Sequence, residues 1–374
     1  MSSVGLYVKA GARADPVPGT AFVHSRVAFG GTHKRTATKL VRDVERVGGK
    51  LGVAASREVL GLNATVMREA VPAAVDALAE TLLQPRLDGW LVREAAGDVA
   101  AAAAQAHTAQ AALVDALHTA AFGIGGAMAN PVAPAAGVAG KVTVENVREY
   151  LANVLAGGNV ALVGTNVEHA ALADVADMFL AGLVEGSKAA PAAEWHGGVV
   201  NVHTEAPEAH CAVAVKVPGQ ADAKATAAAG ILQIALAYKL ADAQFNMTPI
   251  FAPGSDVGLF GVAATTGDHN VPEAMYAAHG VLAEAGKWKD EDIANAAAVY
   301  KMNLISAWEG ASGCGAAGSA NVLGAGASTL GAALEAANKV TAKDIASVVE
   351  SALKCKPAVA VLNSGVVVPF DFKF

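Results

Sequence analysis

Histidine and cysteine are the residue types from which this chain could build a metal or nucleophilic site. His24 lies in a stretch of helical periodicity, but no carboxylate or second histidine stands three or four residues away, as a helical zinc site requires. His196, His203 and His210 recur at seven-residue intervals in a segment that we predict to be extended, where an odd offset alternates the side-chain faces. A metal site shared by these three histidines is therefore not expected, and a peptidase with such unorthodox ligands is the disfavoured alternative. The cysteines form no Cys-x-x-Cys pair and are expected to be free thiols in a reducing compartment: Cys211, Cys314 and Cys355.

The stretch from Gly19 to Arg35 (GTAFVHSRVAFGGTHKR) is predicted to hold a helix followed by a turn. Thr20 is placed to cap the helix, and the pair Gly30-Gly31 is a normal stop signal. We expect His24 to be partly exposed and His33, beyond the helix, to face water. The apolar residues of the helix recur at a spacing of three to four: Phe22, Val23, Val27 and Ala28.

The remaining chain alternates short period-2 segments with helical ones, which predicts an α+β fold. The predicted strands are Val4–Ala10, Lys50–Ala55, Val59–Val66 and Asn159–Val163. The predicted helices are Thr36–Val47, Pro72–Leu83, an alanine-rich region over 87–128, Val144–Leu155 with Thr143 as its cap, and Val167–Leu183.

Three segments of the first half are echoed in the second half in the same order, at offsets near 200 residues. This repetition predicts two homologous halves, each a mostly antiparallel sheet packed with helices. The predicted division is an N-terminal domain over 1–185, a linker over 186–195 and a C-terminal domain over 196–374. The echoes are Gly5–Lys9 with Ala212–Lys216, Ser56–Gly61 with Ser255–Gly261, and Lys141–Thr143 with Lys339–Thr341.

Composition narrows the function classes. Hydrophobic residues make up 53% of the chain, but many are alanine, and polar residues interrupt the longest apolar run, over 99–129. No transmembrane helix of its own is therefore expected. The formal charge of −7 is spread without a basic block, so nucleic acid is not an expected partner. The first residues have neither a secretory signal core nor an Arg-rich amphipathic leader.

The Gly19–Arg35 stretch resembles the zinc helix of the mitochondrial processing peptidase and pitrilysin family, the inverzincins, whose signature is His-x-x-Glu-His. A first strand of that fold has no counterpart before Val4. The residues that match the frame around the signature are Gly19, Thr20, Ala21, Phe29, Gly31, Thr32 and Arg35.

The resemblance places Phe22 and Arg26 at the two histidine positions, Ser25 at the glutamate position and Ala102 at the third ligand position. An accessory glutamate of the family falls at Ala95. Phenylalanine has no lone pair, arginine stays protonated, and serine is a poor general base. The expectation is therefore a degenerate site with no metal, no catalytic residue and no cofactor, because a zinc hydrolase needs both ligands and a base.

Further segments resemble the non-catalytic branch, which contains the processing-peptidase alpha subunits and the core 2 chains of the cytochrome bc1 complex. They are Trp90, Trp195–Gly198 and Ser255–Gly261. The glycine-rich loop that handles presequences in alpha subunits has no equivalent over Gly230–Pro253. Another glycine-rich segment, Gly310–Gly331, falls too late to be that loop and is predicted to allow close helix–helix packing.

The resemblance thus implies a non-catalytic core 2 subunit of the mitochondrial ubiquinol–cytochrome c reductase complex (complex III), on the matrix side of the inner membrane. Its implied partners are core protein 1, cytochrome b, cytochrome c1 and other subunits of a dimeric complex, with membrane association through these partners. The alternatives are a presequence-binding alpha subunit with a catalytic beta partner, and a scaffold of another mitochondrial assembly.

Overall fold

The structure, a computed structural model, describes residues 1–106, 109–133, 138, 140–187, 191–203, 208–241, 243, 245–267, 270–310 and 312–363. Within these residues, no helix has both the length and the hydropathy needed to cross a membrane. The strands are β1 (Ser2–Lys9), β2 (Lys50–Ala55), β3 (Val59–Val66), β4 (Val160–Thr165), β5 (Gly198–His203), β6 (Ala209–Pro218), β7 (Asn246–Ala252), β8 (Val257–Thr266) and β9 (Ala358–Asn363).

Helices outnumber strands in the described chain. They are α1 (Thr20–Val27), α2 (Ala37–Glu45), α3 (Val71–Leu83), α4 (Gly89–Ala106), α5 (Ala109–Phe122), α6 (Val144–Val154), α7 (His169–Leu180), α8 (Ala223–Leu240), α9 (Val271–Glu284), α10 (Asp290–Trp308), α11 (Ser312–Leu323), α12 (Leu330–Asn338) and α13 (Ala342–Leu353). The bounds predicted from the sequence for β2 and β3 are the same as those in the structure. Within the alanine-rich region predicted to be helical, the described residues form α4 and α5.

Two compact units make up the structure, and each is discontinuous in sequence. The first contains Met1–Ala106, Pro131–Pro191 and Ala307–Leu323; the second contains His107–Asn130, Ala192–Ser306 and Gly324–Phe374. Helix α5 thus belongs to the second unit and α11 to the first. The sequence division at 186–195 concerns homologous halves rather than compact units and stays a prediction; residues 188–190 of that linker lie outside the described residues.

The two sheets share one strand order. The first is β2-β3-β1-β4, and the second is β7-β8-β6-β9 with β5 added beside β9. All pairs are antiparallel except β5–β9, which is parallel. The echoed sequence segments occupy equivalent places: β1 with β6 and β3 with β8. The predicted α+β fold with two homologous halves is therefore confirmed.

The third echo is confirmed at the level of hydrogen bonds. Thr143 caps α6 and Thr341 caps α13, and both form a capping box, in which the side chain at the third helical position bonds back to the cap residue. Each of these helices leads into the last antiparallel strand of its sheet, β4 or β9. The same local chemistry thus starts the same helix twice.

One face of the first sheet carries the main core of its unit. Val4, Leu6 and Val8 of β1 are fully buried among residues of β3, α1 and α3. Pro72 stands at the start of α3, where its missing N–H costs nothing because the first helical N–H groups have no intrahelical partner. Alternation along β1 sends Gly5 and Tyr7 to the opposite face.

On that opposite face, the Tyr7 ring lies in a slot between backbones. A Cβ atom added at Gly318 of α11 would lie 2.0 Å from the ring, and one added at Gly5 or Gly61 would lie 2.6 Å or 2.8 Å from it. Cys314 of α11 is buried in the same cluster. The glycine-rich segment thus permits close packing, but of a helix on a sheet rather than of two helices as predicted.

The second unit repeats this two-faced arrangement. Alternate valines of β6, Val213 and Val215, pack in a large core with α8, α9 and α13. Ala212 and Ala214 face the other way, into a smaller cluster with α5. In both sheets a helix from a distant part of the sequence covers the second face, and small residues make room for it.

The slot predicts opposite outcomes for two glycines of α11. Gly318→Ala forces a methyl group into the Tyr7 ring and should lower the free energy of unfolding by about 1–3 kcal/mol. Gly315→Ala, whose Cβ would lie 3.8 Å from the Tyr7 hydroxyl, is the matched control. It should be neutral or stabilise by up to about 1 kcal/mol, because alanine favours the helix. Urea denaturation of both variants checks this, and equal losses would contradict the slot.

Candidate functional site

The candidate site lies on α1, whose start is built differently from the sequence prediction. Thr20 does not cap the helix; its hydroxyl donates to the carbonyl oxygen of Val17 at 2.6 Å. The cap is the carboxylate of Asp15, which accepts hydrogen bonds from the N–H groups of Gly19 and Ala21, both at 2.8 Å. Asp15 stands before a proline and outside the periodic stretch, so helical spacing could not reveal it. Burial raises the pKa of Asp15 to about 7, against the opposing effect of these backbone hydrogen bonds.

The three residues predicted to occupy the signature positions lie together on the outward side of α1. The guanidinium carbon of Arg26 sits 5.2 Å from the centroid of the Phe22 ring, a cation–π contact. The Ser25 hydroxyl donates to the backbone carbonyl of Phe22 at 2.6 Å. Phe22 and Ser25 are half-buried, whereas Arg26 is exposed. These side chains therefore bond to one another and to their own helix, and they present a permanent cation where a metal ion would need donors.

The position of the third ligand is found on a neighbouring helix. Ala102 belongs to α4, which packs against α1, although its side chain lies outside the described residues. Ala95 of the same helix is buried in the core. Among the residues that the structure describes, no three or more histidine, cysteine, aspartate or glutamate side chains converge as metal ligands. The correspondence of these positions to family ligands rests on sequence register and stays a prediction.

His24 is fully buried, which corrects the expected partial exposure. It lies on the inward side of α1, with its ring edge-on to Tyr150 of α6 at a centroid distance of 6.1 Å. Neither ring nitrogen has a hydrogen-bond partner among the described residues. Burial lowers the pKa of His24 to about 4, so the ring is neutral near pH 7. His33, as expected, is exposed.

The three spaced histidines of the second half do not form a cluster in the described structure. His203 pairs in register with Asn363 of β9, and His210 pairs with the preceding Leu362. Neighbours along β9 point to opposite faces, so these two histidines lie on opposite faces of the sheet. His210 instead has Thr265 Oγ1 at 3.0 Å from its Nδ1 atom, and His196 precedes β5.

The residues that follow α1 fasten it to α3. Gly31 has a φ of +120°, a conformation that favours glycine, and turns the chain after the helix. The Thr32 hydroxyl donates to Oε1 of Glu80, which is buried on α3. Arg35 Nε lies 3.1 Å from Glu80 Oε2, and another guanidinium nitrogen bonds to Asp76. Gly31, Thr32 and Arg35, three residues of the family frame, therefore stabilise this loop. Their partners on α3 could not be identified from the sequence.

A second buried ion pair supports the segment before α1. Arg13 Nη1 lies 2.6 Å from Glu58 Oε1, and both side chains are more than nine-tenths buried. The adjacent Gly11 N–H donates to the Tyr150 hydroxyl at 2.8 Å. These contacts fix the approach to α1 against β3 and α6.

Comparison with known proteins concerns mainly the first part of the chain. Residues 1–134 match the insulinase family, peptidase family M16. The likeness to that family model lies in these residues. The family resemblance deduced from the Gly19–Arg35 frame is thereby confirmed, and the fold described above is consistent with it.

The relatives fall into the two groups that the resemblance indicated. The cytochrome b-c1 complex subunit 2 of Yarrowia lipolytica is 31% identical over 54% of this chain and 49% of its own length. That of Cryptococcus neoformans is 28% identical over 99% of this chain and 88% of its own. The probable mitochondrial-processing peptidase subunit alpha-2 of Arabidopsis thaliana is 30% identical over 62% of this chain and 47% of its own. In several of these matches the chain spans about half the length of the curated relative.

Arg35 is expected to be required for stability. Arg35→Ala leaves the carboxylate of Glu80 buried without its cation, and the free energy of unfolding should fall by about 3–5 kcal/mol. Arg86→Ala is the matched control, because Arg86 pairs with Asp88 at a more exposed surface position and should cost at most about 1 kcal/mol. Chemical denaturation measures both. A loss for Arg35→Ala no larger than for Arg86→Ala would show that the buried contact does not hold the loop.

His24 is expected to make stability depend on acid. The folded protein binds this proton only near pH 4, whereas the unfolded chain binds it near pH 6.5. Unfolding therefore takes up a proton between these values, and stability falls as the pH is lowered through this window, by up to about 3 kcal/mol. Asp15 has the opposite effect on the free energy of unfolding. Because its pKa is raised in the folded protein, its contribution to stability is lost as the pH rises towards 7.

The contributions of His24 and Asp15 to the pH dependence can be separated by comparing the wild type with a His24 variant. The free energy of unfolding of His24→Gln is subtracted from that of the wild type across pH 4–7, so that Asp15, present in both, cancels. The wild-type protein should lose about 3 kcal/mol relative to the variant on going from pH 7 to pH 4. His33→Gln replaces an exposed histidine and is the matched control; an equal change there would rule out the assignment to His24.

Proposed function

We propose that the chain is a non-catalytic core 2 subunit of the mitochondrial ubiquinol–cytochrome c reductase complex. The observation that carries the proposal is the Arg26–Phe22 cation–π pair, with Ser25 hydrogen-bonded to its own helix, in place of a zinc cradle. A hydrolase of this family needs neutral imidazoles and a carboxylate at these positions. In the proposed degenerate site no residue holds a metal or activates water, and no cofactor is bound.

The choice of core 2 over the alpha subunit rests on the Gly230–Pro253 stretch. Helix α8 and strand β7 occupy most of it. Gly230 lies inside α8, where an added Cβ would be 2.4 Å from the Tyr300 ring, so it serves packing. This arrangement supports the absence of a glycine-rich loop for presequences. The matches to cytochrome b-c1 complex subunit 2, one of them over 99% of the chain, point the same way.

In this proposal the subunit lies on the matrix side of the inner membrane and pairs with core protein 1. It contacts cytochrome b, cytochrome c1 and other subunits of the dimeric complex, and these partners, rather than a helix of its own, connect it to the membrane. Nucleic acid is not a proposed partner.

A presequence-binding alpha subunit, paired with a catalytic beta subunit, is the second candidate. The 30% identity to the Arabidopsis thaliana alpha-2 subunit favours it, because this identity is close to the 31% found for the core subunit of Yarrowia lipolytica. Both candidates share the inactive α1 site and differ only in what the chain assembles with.

Affinity purification of the tagged full chain from mitochondria in mild detergent decides between them. The proposed function predicts co-purification with cytochrome b and cytochrome c1, detected by their haem spectra and by mass spectrometry. Recovery of only a beta-like partner, in a pair that cleaves a presequence peptide and loses this activity without the chain, would establish the alpha subunit instead. Stoichiometric zinc in the isolated chain, lost in His196→Ala, would contradict both.

A further inference from the structure

The charge of this acidic protein is locally reversed around α2. Residues 33–50 contain six lysines and arginines against two acidic residues, a net charge of +4, so the rest of the chain carries −11. The overall balance conceals this block, which corrects the expectation that the charge is spread without a basic block. The cations are Lys34, Arg35, Lys39, Arg42, Arg46 and Lys50.

Three of these cations lie in a line on the exposed side of α2. Leu40 and Val44 of α2 are buried in the core, so Lys39, Arg42 and Arg46, at spacings of three and four residues, lie along the exposed side. We call these three residues the α2 cationic stripe. At a helical rise of about 1.5 Å per residue, the α2 cationic stripe is roughly 10 Å long.

The charges of the stripe are not neutralised within the described part of the chain. No ion pair involves Lys39, Arg42 or Arg46, whereas Arg35 is engaged by Asp76 and Glu80. Exposed like charges at this spacing repel one another and slightly destabilise the helix. An external anion would relieve this repulsion.

A cavity of about 540 Å³ opens beside the stripe, within the same unit. Lys39 and Arg46 contribute to its rim, and Val47, which is 37% exposed, contributes to its apolar wall. Asp43 and the ion-paired Arg35 and Asp76 also line it, so three cations face two carboxylates there. Its size lies in the range of pockets that take small ligands or single side chains. The remaining apolar lining comes from Val44, Val66, Ala73 and Ala74.

The neighbourhood of the stripe selects among anionic partners. Asp43 and Glu45 lie on the same helix, so the positive surface is narrow and unsuited to the broad phosphate array of nucleic acid or a lipid surface. The apolar side of α2 is in the core, so the helix cannot insert into a bilayer. A line of cations beside a cavity with one apolar wall instead matches an acidic helix that carries one apolar anchor.

We propose that the α2 cationic stripe and the adjacent cavity bind an acidic helical segment of a partner protein. Carboxylates three and four residues apart on that segment face Lys39, Arg42 and Arg46, and one aliphatic side chain enters the cavity beside Val47. This surface goes beyond the proposed function and does not depend on which assembly contains the chain.

The probe is a fluorescent helical peptide of about 16 residues, with glutamates at spacings of three and four and one central leucine. Its binding to the full chain is followed by anisotropy at low and high salt. We expect salt-sensitive binding that weakens at least about tenfold in K39E/R42E/R46E. The neutral K39Q/R42Q/R46Q variant should weaken it less, and thermal unfolding verifies that each variant is folded.

The matched control is K343E/K354E/K356E, which makes the same change in net charge at exposed positions of the second unit. It should bind the peptide like the wild type; an equal loss would reduce the effect to net charge and overturn the proposal. Replacing the peptide's leucine by serine should weaken binding at least about fivefold, and no change would overturn the role of the cavity. Stripe-dependent binding of vesicles with about 30% phosphatidylserine, or of duplex DNA, without peptide binding would also overturn the proposal.

Discussion

A buried carboxylate constrains the part of the fold on which the functional conclusion rests. Glu80 of α3 lies inside the first unit, and an ionised group there requires partners. Thr32 and Arg35 supply them from the turn after α1. The helix is therefore held in place by residues outside its outward face. The contacts of Glu80 that hold α1 in place do not involve Phe22, Ser25 or Arg26. These contacts can therefore stay the same whichever residues occupy these three positions.

The inward side of α1 also contributes to the fold. His24 packs against Tyr150 as a neutral ring without a hydrogen-bond partner among the described residues, so it is part of the core. The Asp15 cap and the Arg13–Glu58 pair position the approach to the helix without contributing a ligand. Polar groups around α1 thus stabilise the fold, which fits the proposed non-catalytic role.

In each unit, helices cover both faces of the sheet. In the first unit α11 approaches so closely that only glycine fits beside Tyr7; in the second, Ala212 and Ala214 give α5 its place. Each covering helix comes from a distant part of the sequence, so neither unit is a continuous piece of chain. The cationic side of α2 stays exposed, as the proposed contact with an acidic partner requires.

Local chemistry determined much of this from the sequence by itself. Strands β2 and β3, the capping boxes at Thr143 and Thr341 and the duplicated α+β plan were predictable, because caps, turns and side-chain periodicity act over a few residues. The family followed from the Gly19–Arg35 frame. Only the tertiary structure decided that His24 is buried, that Asp15 replaces Thr20 as the cap of α1, and that the glycine-rich segment packs on a sheet. These outcomes depend on contacts between residues far apart in the chain, such as Tyr7 with Gly318, which local periodicity does not encode.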